Sequence, residues 1–343
     1  MNNPISQDNV RKIANQEYNS YIANRPNQHQ STRIAPSSLL KPFSKELKQK
    51  LSIQHELVET ELSNIIGKPY YSHLGFILYQ GNAEQLLQEI SFNQINININ
   101  LTVTSPPYNI GKEYEKLRAI DEYIEWCSRW MSQIYNLTQS NGAFWLNVGY
   151  LEVPNKGLCV PIPYLLWDKS PFYLLQEVIW KYGAGVSTKH RLSPRNEKWL
   201  FYVKDPEKYT FNLDSIRDPN VKYPNQKKNG KYRCNPLGKN PSDVWEFPKV
   251  TTGTKRSSKE RTAHPAQFPL GIVERVINAS SNQLELVLDP FAGSGSTGIA
   301  AIGLGRIFLG FEIRRDYCDI AVKRFEDFIE EREFFFEQKE LFE

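Results

Sequence analysis

Residues 284–312 read LELVLDPFAGSGSTGIAAIGLGRIFLGFE. Residues 284–288 form a short apolar run of strand length, which reads as a buried strand. Asp289-Pro290 and a glycine-rich turn through Ser296 end it. A helix of small residues over 297–304 follows, then a second apolar strand over 306–311 that stops at Glu312. Strand, Gly-x-Gly turn, helix, strand, acid is the layout of a nucleoside-binding half of a doubly wound sheet. Glycines such as Gly293 and Gly295 let a ligand approach backbone where a Cβ would collide. An acid at the end of the next strand can accept hydrogen bonds from two ribose hydroxyls, and Glu312 lies 17 residues past Gly295, near the usual spacing of roughly 20. No GxxxxGK[ST] run occurs, which excludes a phosphate-gripping P-loop.

A second informative strand end lies upstream. Residues 95–103 alternate between apolar (Ile95, Ile97, Ile99, Leu101, Val103) and polar (Asn96, Asn98, Asn100, Thr102), which predicts a strand with one buried face. Thr104-Ser105-Pro106-Pro107-Tyr108 ends it, because neither proline can donate to a sheet ladder. The turn that results is stiff. It offers a small hydroxyl (Ser105), carbonyls and an aromatic ring (Tyr108), a set able to hold a flat, amine-bearing ring. Further elements are expected as a capped helix over 44–65 (stripe Leu47, Leu51, Ile53, Leu57, Leu62), a strand over 74–79 and a helix over 83–90. A helix over 120–137 should end at Asn141-Gly142, and strands should follow at 143–148, 172–181 and 199–204. Helices are expected over 270–279 and from about 316. Strands alternating with helices predict an α/β, Rossmann-like, doubly wound and mostly parallel sheet.

With 343 residues, 40% hydrophobic and 13% aromatic, a sizeable core is expected and global disorder is not. The four cysteines are far apart with no CxxC pair; they suggest free thiols, and no metal is expected. The N-terminus lacks the apolar stretch of a signal peptide and no segment approaches a membrane span, so a cytoplasmic protein is expected. Net charge is only +4, but residues 188–261 hold 18 Lys and Arg against 8 Asp and Glu. A basic segment on an otherwise mildly acidic chain is the footprint of a polyanion-binding surface. The chain divides into a polar arm and helix (1–70), a half carrying SPPY (71–204), a basic, irregular inserted region (205–260) and a half carrying the glycine turn (261–343).

TSPPYNIGKEYE, DPFAGSGSTGIAA and HPAQFPLGIVERVI (from His264) together resemble the S-adenosylmethionine-dependent DNA amino-methyltransferases, in the β-group order of their motifs. GAFWLNVG, RNEKWLFYVK and DVWEFP are weaker echoes. The resemblance covers about 75–330. It implies a methyltransferase fold with an inserted target-recognition region, and S-adenosylmethionine as cofactor. It implies catalysis by Ser105, Pro106, Pro107 and Tyr108, with the target base stacked on Tyr108. The cofactor would lie among Asp289, Phe291, Gly293, Ser294, Gly295, Ser296, Glu312, His264 and Pro265, with Ser294 and Ser296 serving its carboxylate. Double-stranded DNA is the implied partner, gripped by Arg217, Lys227, Lys228, Lys231, Arg233, Lys255 and Arg256. A cognate restriction endonuclease is compatible with it, as is a monomer or a homodimer. Serine before Pro-Pro-Tyr leans toward N4 of cytosine; N6 of adenine is the alternative, and a protein amide or RNA a more remote one. The chain departs from the family's pattern at Gly81-Asn82, where Gly-Asp is frequent, and at Ser296, where threonine is usual.

Overall fold

The structure, a computed structural model, describes residues 36, 38–93, 97–183, 185, 187–250 and 260–342. The chain enters through helix α1 (Lys45–Ile66), capped by Ser44, whose Oγ accepts from the Leu47 amide at 3.1 Å. Next come β1 (Tyr71–His73), β2 (Phe76–Gln80), α2 (Ala83–Phe92), β3 (Ile99–Thr104), α3 (Ile120–Leu137) and β4 (Thr138–Val148). A small hairpin, β5 (Tyr150–Val153) with β6 (Gly157–Pro161), and the short α4 (Pro163–Leu166) lead to β7 (Tyr173–Lys181) and β8 (Asn196–Val203). The basic region contributes a two-residue hairpin, β9 (Lys227–Lys228) and β10 (Lys231–Tyr232), and then β11 (Val244–Glu246). The last part is α5 (Leu270–Ser280), β12 (Leu286–Asp289), α6 (Ser296–Gly303), β13 (Ile307–Glu312) and α7 (Arg315–Phe342).

One nine-stranded sheet runs β1-β2-β13-β12-β3-β4-β8-β7-β11. The centre, from β2 to β4, is parallel; β8 enters antiparallel to both of its neighbours. Strand alternation sends Phe76, Leu78, Leu101, Val103, Val287 and Phe308 to one face, against α5, α6 and α7. Ile77, Tyr79, Leu286, Leu288 and Leu309 go to the other, against α1, α2 and α3, and so does Ile99, because a break in register between Ile99 and Leu101 interrupts the alternation of β3. This is the doubly wound arrangement expected of βα alternation.

Four local readings change. β3 is covered on both faces, with Thr102 and Thr104 as buried as Leu101 and Val103. A central parallel strand has helices on both sides, so its polar alternates sit inside rather than in water. Asn141-Gly142 does not end α3, which passes straight into β4 at Thr138. Gly142 lies inside that strand, where a Cβ would come within 2.5 Å of Thr138 Cγ2 and 2.9 Å of the Asn100 carbonyl. In α1 the buried residues are Leu51, Val58 and Leu62, while Ile53 and Leu57 are more than half exposed. The spacing i, i+7, i+11 selects the inward face there. The basic region is not wholly apart from the sheet, because β11 pairs in parallel with β7, and Trp245 is buried.

The connections diverge at one place. From β3 the chain crosses through α3 to β4; from β12 it crosses through α6 to β13, in the opposite direction and on the opposite face. β3 and β12 are neighbours. A crevice opens outside their carboxyl ends, which is where open α/β sheets bind ligands.

Candidate active site

A cleft of about 530 Å³ occupies that crevice. Its lining includes Ser105 to Tyr108 from the end of β3, Pro290 to Ser294 and Ser296 from the turn after β12, and Glu312 from the end of β13. His264, Pro265 and Tyr317 close one side, and Asn147, Trp180, Glu197 and Lys249 another. Residues far apart in sequence thus meet because parallel strands deliver their carboxyl ends to the same edge.

The SPPY turn is held by named bonds. The Tyr123 hydroxyl on α3 donates to the Pro107 carbonyl at 2.9 Å. Tyr108 is locked by its hydroxyl, which meets Asn147 Oδ1 at 3.0 Å, the Asn147 carbonyl at 3.3 Å and Glu197 Oε2 at 3.3 Å. Asn147 presents its oxygen there because its Nδ2 donates to the Lys198 carbonyl at 3.1 Å. All three partners are acceptors, so the single Tyr108 proton goes to them. Burial holds that phenol well above its ordinary range, so the proton stays. The Ser105 hydroxyl, 3.0 Å from the Tyr108 oxygen, is then the donor of that pair. Its lone pairs are left to accept from a ligand in the cleft. Glu197 is in turn paired with Lys249 at 2.6 Å, and Lys249 lies 4.0 Å over the Tyr182 ring.

The glycine turn has its own scaffold. Asp289 is fully buried and accepts from Thr104 Oγ1 at 2.7 Å, Thr297 Oγ1 at 2.6 Å and the Phe291 amide at 3.1 Å. It sits beneath the cleft rather than in its lining, tying β3 to β12 and α6. Burial pushes its carboxyl up to about 6. Gly293 (φ +50°) and Gly295 (φ +75°) adopt left-handed backbone. A Cβ on Gly293 would stand 2.8 Å from His264 Nε2, and one on Gly295 would stand 3.0 Å from Ala321 Cβ of α7. Gly295 therefore serves helix packing and does not line the cleft. Gly298 completes a full G-x-G-x-x-G spacing, which a reading of the turn as Gly-x-Gly passes over. Its Cβ would overlap Phe76 and Phe308 at 2.3 and 2.7 Å, so this glycine lets α6 lie directly on the sheet.

Glu312 accepts the Gly293 amide at 2.9 Å on one oxygen and the Arg314 amide at 2.8 Å on the other. Each oxygen keeps a lone pair for a ligand. Phe291 packs edge-on against Trp126 and Trp130. His264 sits 4.4 Å from the Tyr317 ring, and burial pulls its imidazole down to about 4, so it is neutral at pH 7. Asn82, in the place of the frequent acid, caps α2 by accepting from the Gln85 amide at 3.2 Å.

Of the candidate polyanion contacts, Lys227, Lys228, Lys231 and Arg233 are exposed on or beside the β9–β10 hairpin. Arg217 is committed to Asp214 Oδ1 at 2.5 Å and the Gly238 carbonyl at 3.2 Å, which gives it a structural occupation. Lys255 and Arg256 lie outside the described residues. Sequence reasoning gave no site role to Glu197, Asn147, Thr104, Tyr317 or Arg324. Asn147 and Glu197 fall inside the echoes GAFWLNVG and RNEKWLFYVK; Arg324 carried no signal, being one charged residue on a long charged helix. Among the described residues no helix is long and apolar enough to cross a membrane.

The chain is similar to known proteins. Type II methyltransferase M.ScaI of Streptomyces caespitosus is 61% identical over 272 residues, 78% of this chain and 88% of that one. Type II methyltransferase M.BglII of Bacillus subtilis is 34% identical over 71% of this chain and 67% of that one. The solved structure of PvuII DNA methyltransferase (cytosine-N4-specific) superposes with a TM-score of 0.59, at 18% identity, covering 77% of this chain and 94% of that one. At that identity the likeness is one of fold. Since the DNA methylase family model for N6/N4 methyltransferases matches residues 99–323, from β3 into α7, the chain belongs to that family.

Proposed function

We propose that the chain is a site-specific DNA methyltransferase of the type II modification class, moving a methyl group from S-adenosylmethionine to N4 of a cytosine turned out of duplex DNA. The observation that carries this reading is Ser105. Its proton is committed to Tyr108, so a cleft-facing acceptor stands at the end of β3, next to the turn that carries Glu312's partner glycine across the switch point.

The cofactor side fits an adenosyl ligand. Glu312 offers two carboxylate oxygens to a ribose diol, and the Tyr317 hydroxyl is buried at the cleft wall without a protein partner among the described residues. Bound S-adenosylmethionine supplies a sulfonium methyl as electrophile. The chain's own work is on the nucleophile. An exocyclic amine is a weak nucleophile because its lone pair is delocalised into the ring. Ser105 Oγ and the Pro106 carbonyl accept its two N–H groups, favour a pyramidal nitrogen, and stabilise the positive charge that develops on it. Two successive prolines and the Tyr123 bond fix this turn beforehand, so little reorganisation remains. Tyr108 is pinned by its hydroxyl, so it presents a fixed ring beside the base.

Turning the nucleotide out of the duplex costs a few kcal/mol of stacking and pairing. Phosphate contacts from the exposed hairpin lysines offset it. In a type II system an endonuclease sharing the same DNA site is the expected companion. Duplex DNA incubated with the protein and S-adenosylmethionine, digested to nucleosides and weighed by mass spectrometry, is expected to yield N4-methylcytosine. N6-methyladenine alone would move the reading to the adenine amine, and absence of both would end it.

A further inference from the structure

Arg324 lies on α7, two turns beyond Tyr317, and is 4% exposed. Its guanidinium passes under the glycine turn. The two hydrogens of its Nη1 serve three acceptors, one of them shared: the Ser294 carbonyl at 2.6 Å and the hydroxyls of Ser294 and Ser296, both at 3.0 Å. These three acceptors are neutral; Glu260 acts on the guanidinium only through space. Burial lowers its pKa to about 10, which still leaves it charged at neutral pH.

The arrangement sets the polarity of two serines. A hydroxyl that accepts from Arg324 has its own proton left to give. Ser294 and Ser296 are each 3% exposed, both line the cleft, and among the described residues neither hydroxyl has a protein acceptor. Two O–H donors are therefore turned toward the cleft with a buried cation behind them. The carboxylates near this turn, Asp289 and Glu312, repel an anion. The favourable place for a ligand carboxylate at this end of the cleft is over the two serines.

We propose that Arg324 is a positioning residue that makes Ser294 and Ser296 a carboxylate-selective pair, so that the protein distinguishes the amino-acid end of its methyl donor by charge. This rests on S-adenosylmethionine as the cofactor. Arg324 does not touch the ligand; it acts through the two hydroxyls.

The test compares S-adenosylmethionine with its decarboxylated analogue, which keeps the nucleoside, sulfonium and ammonium. Affinities are read by calorimetry on the wild type, Arg324→Met, Arg324→Lys and the double variant Ser294→Ala/Ser296→Ala. Two charge-assisted hydrogen bonds correspond to a wild-type preference for the carboxylate form of about a hundredfold. Arg324→Met is expected to reduce that preference to about threefold or less while leaving affinity for the analogue within about threefold. Arg324→Lys, which keeps the charge on a shorter side chain with a different head, should retain part of it. If Arg324→Met does not fold by circular dichroism, the double serine variant decides, with the same loss expected. A folded variant that keeps the wild-type preference overturns the proposal, as does equal loss for both ligands. If the wild type binds neither ligand, the cofactor reading itself falls.

Discussion

Three serines line the cleft, and their chemistry is set by what stands behind each. Ser105 donates a hydrogen bond to Tyr108 and is left to accept; Ser294 and Ser296 accept hydrogen bonds from Arg324 and are left to donate. The same side chain is thus prepared to accept at one end of the cleft and to donate at the other. Ser105→Ala removes the amine's acceptor without touching the cofactor side. We expect turnover to fall by about 10²–10³-fold, with the dissociation constant for S-adenosylmethionine unchanged by calorimetry. Equal loss of both would mean that the turn had collapsed.

Two buried groups make opposed contributions to stability with pH. Burial raises the Asp289 carboxyl to about 6, from an ordinary 3.8. Between those values the folded chain holds a proton that the unfolded chain has released, so stability falls as pH rises. Burial lowers His264 to about 4, from 6.5. Across that window the unfolded chain holds the extra proton, so stability rises with pH. Each full shift is at most on the order of 3 kcal/mol, less for the partly exposed histidine, and the two nearly cancel in the wild type. Relative to the wild type, Asp289→Asn should therefore tilt stability toward rising with pH between about pH 4 and 6.5, and His264→Gln should tilt it toward falling. Urea midpoints at both ends of the window check this; a slope unchanged from the wild type, or changed in the opposite sense, in either variant would contradict it.

At the level of elements, α6 owes its position to glycine. The overlap of a Cβ at Gly298 with Phe76 and Phe308 involves two buried rings of adjacent strands, neither able to move aside. Gly298→Ala is expected to cost about 1–3 kcal/mol despite alanine's better helix propensity, seen as a lower melting temperature. An unchanged or raised melting temperature would show that the sheet has room there. The β9–β10 hairpin is the opposite kind of element, short and exposed, with little to do for the core. Replacing Lys227, Lys228 and Lys231 by alanine should leave stability intact. It should flatten the plot of log affinity against log salt by about 0.9 for each phosphate no longer neutralised. An unchanged slope would place the DNA elsewhere. The elements themselves were largely legible. α3 begins and ends where its periodicity said, and β12, α6 and β13 lie within two residues of their expected bounds. β3 was legible as a strand but not as a central one, because alternation in sequence does not reveal a second layer of helices. Gly142 looked like a helix stop and is a close-contact position, since a glycine's reason lies in what a Cβ would meet.

At the scale of the molecule, the cleft is assembled from both ends of the chain. β3 and α3 belong to its first half, β12, α6 and β13 to its last, and Asp289 bonds to Thr104 across that join. A ligand bound there stabilises the fold as a whole. S-adenosylmethionine at about 100 times its dissociation constant should add about 2.7 kcal/mol, measured as a raised melting temperature. Glu312→Gln should remove most of the rise, because the ribose loses its charged acceptor. A full shift in that variant would mean that the nucleoside binds without Glu312.

The sequence by itself determined the α/β alternation, the two strand ends that line the cleft, the family and the basic segment. These are local patterns, written in periodicity, proline and glycine punctuation, and contiguous motifs. Only the tertiary structure decided that β3 and β12 are neighbours at the switch point. It alone placed Asp289 beneath the cleft rather than in it, committed Arg217 to the fold, and put Glu197 and Arg324 behind Tyr108 and the glycine turn. The physical reason is that a hydroxyl, a carboxylate or a guanidinium takes its role from partners that burial and hydrogen bonding select. Those partners lie 185 residues away for Thr104 and Asp289, and 30 for Ser294 and Arg324.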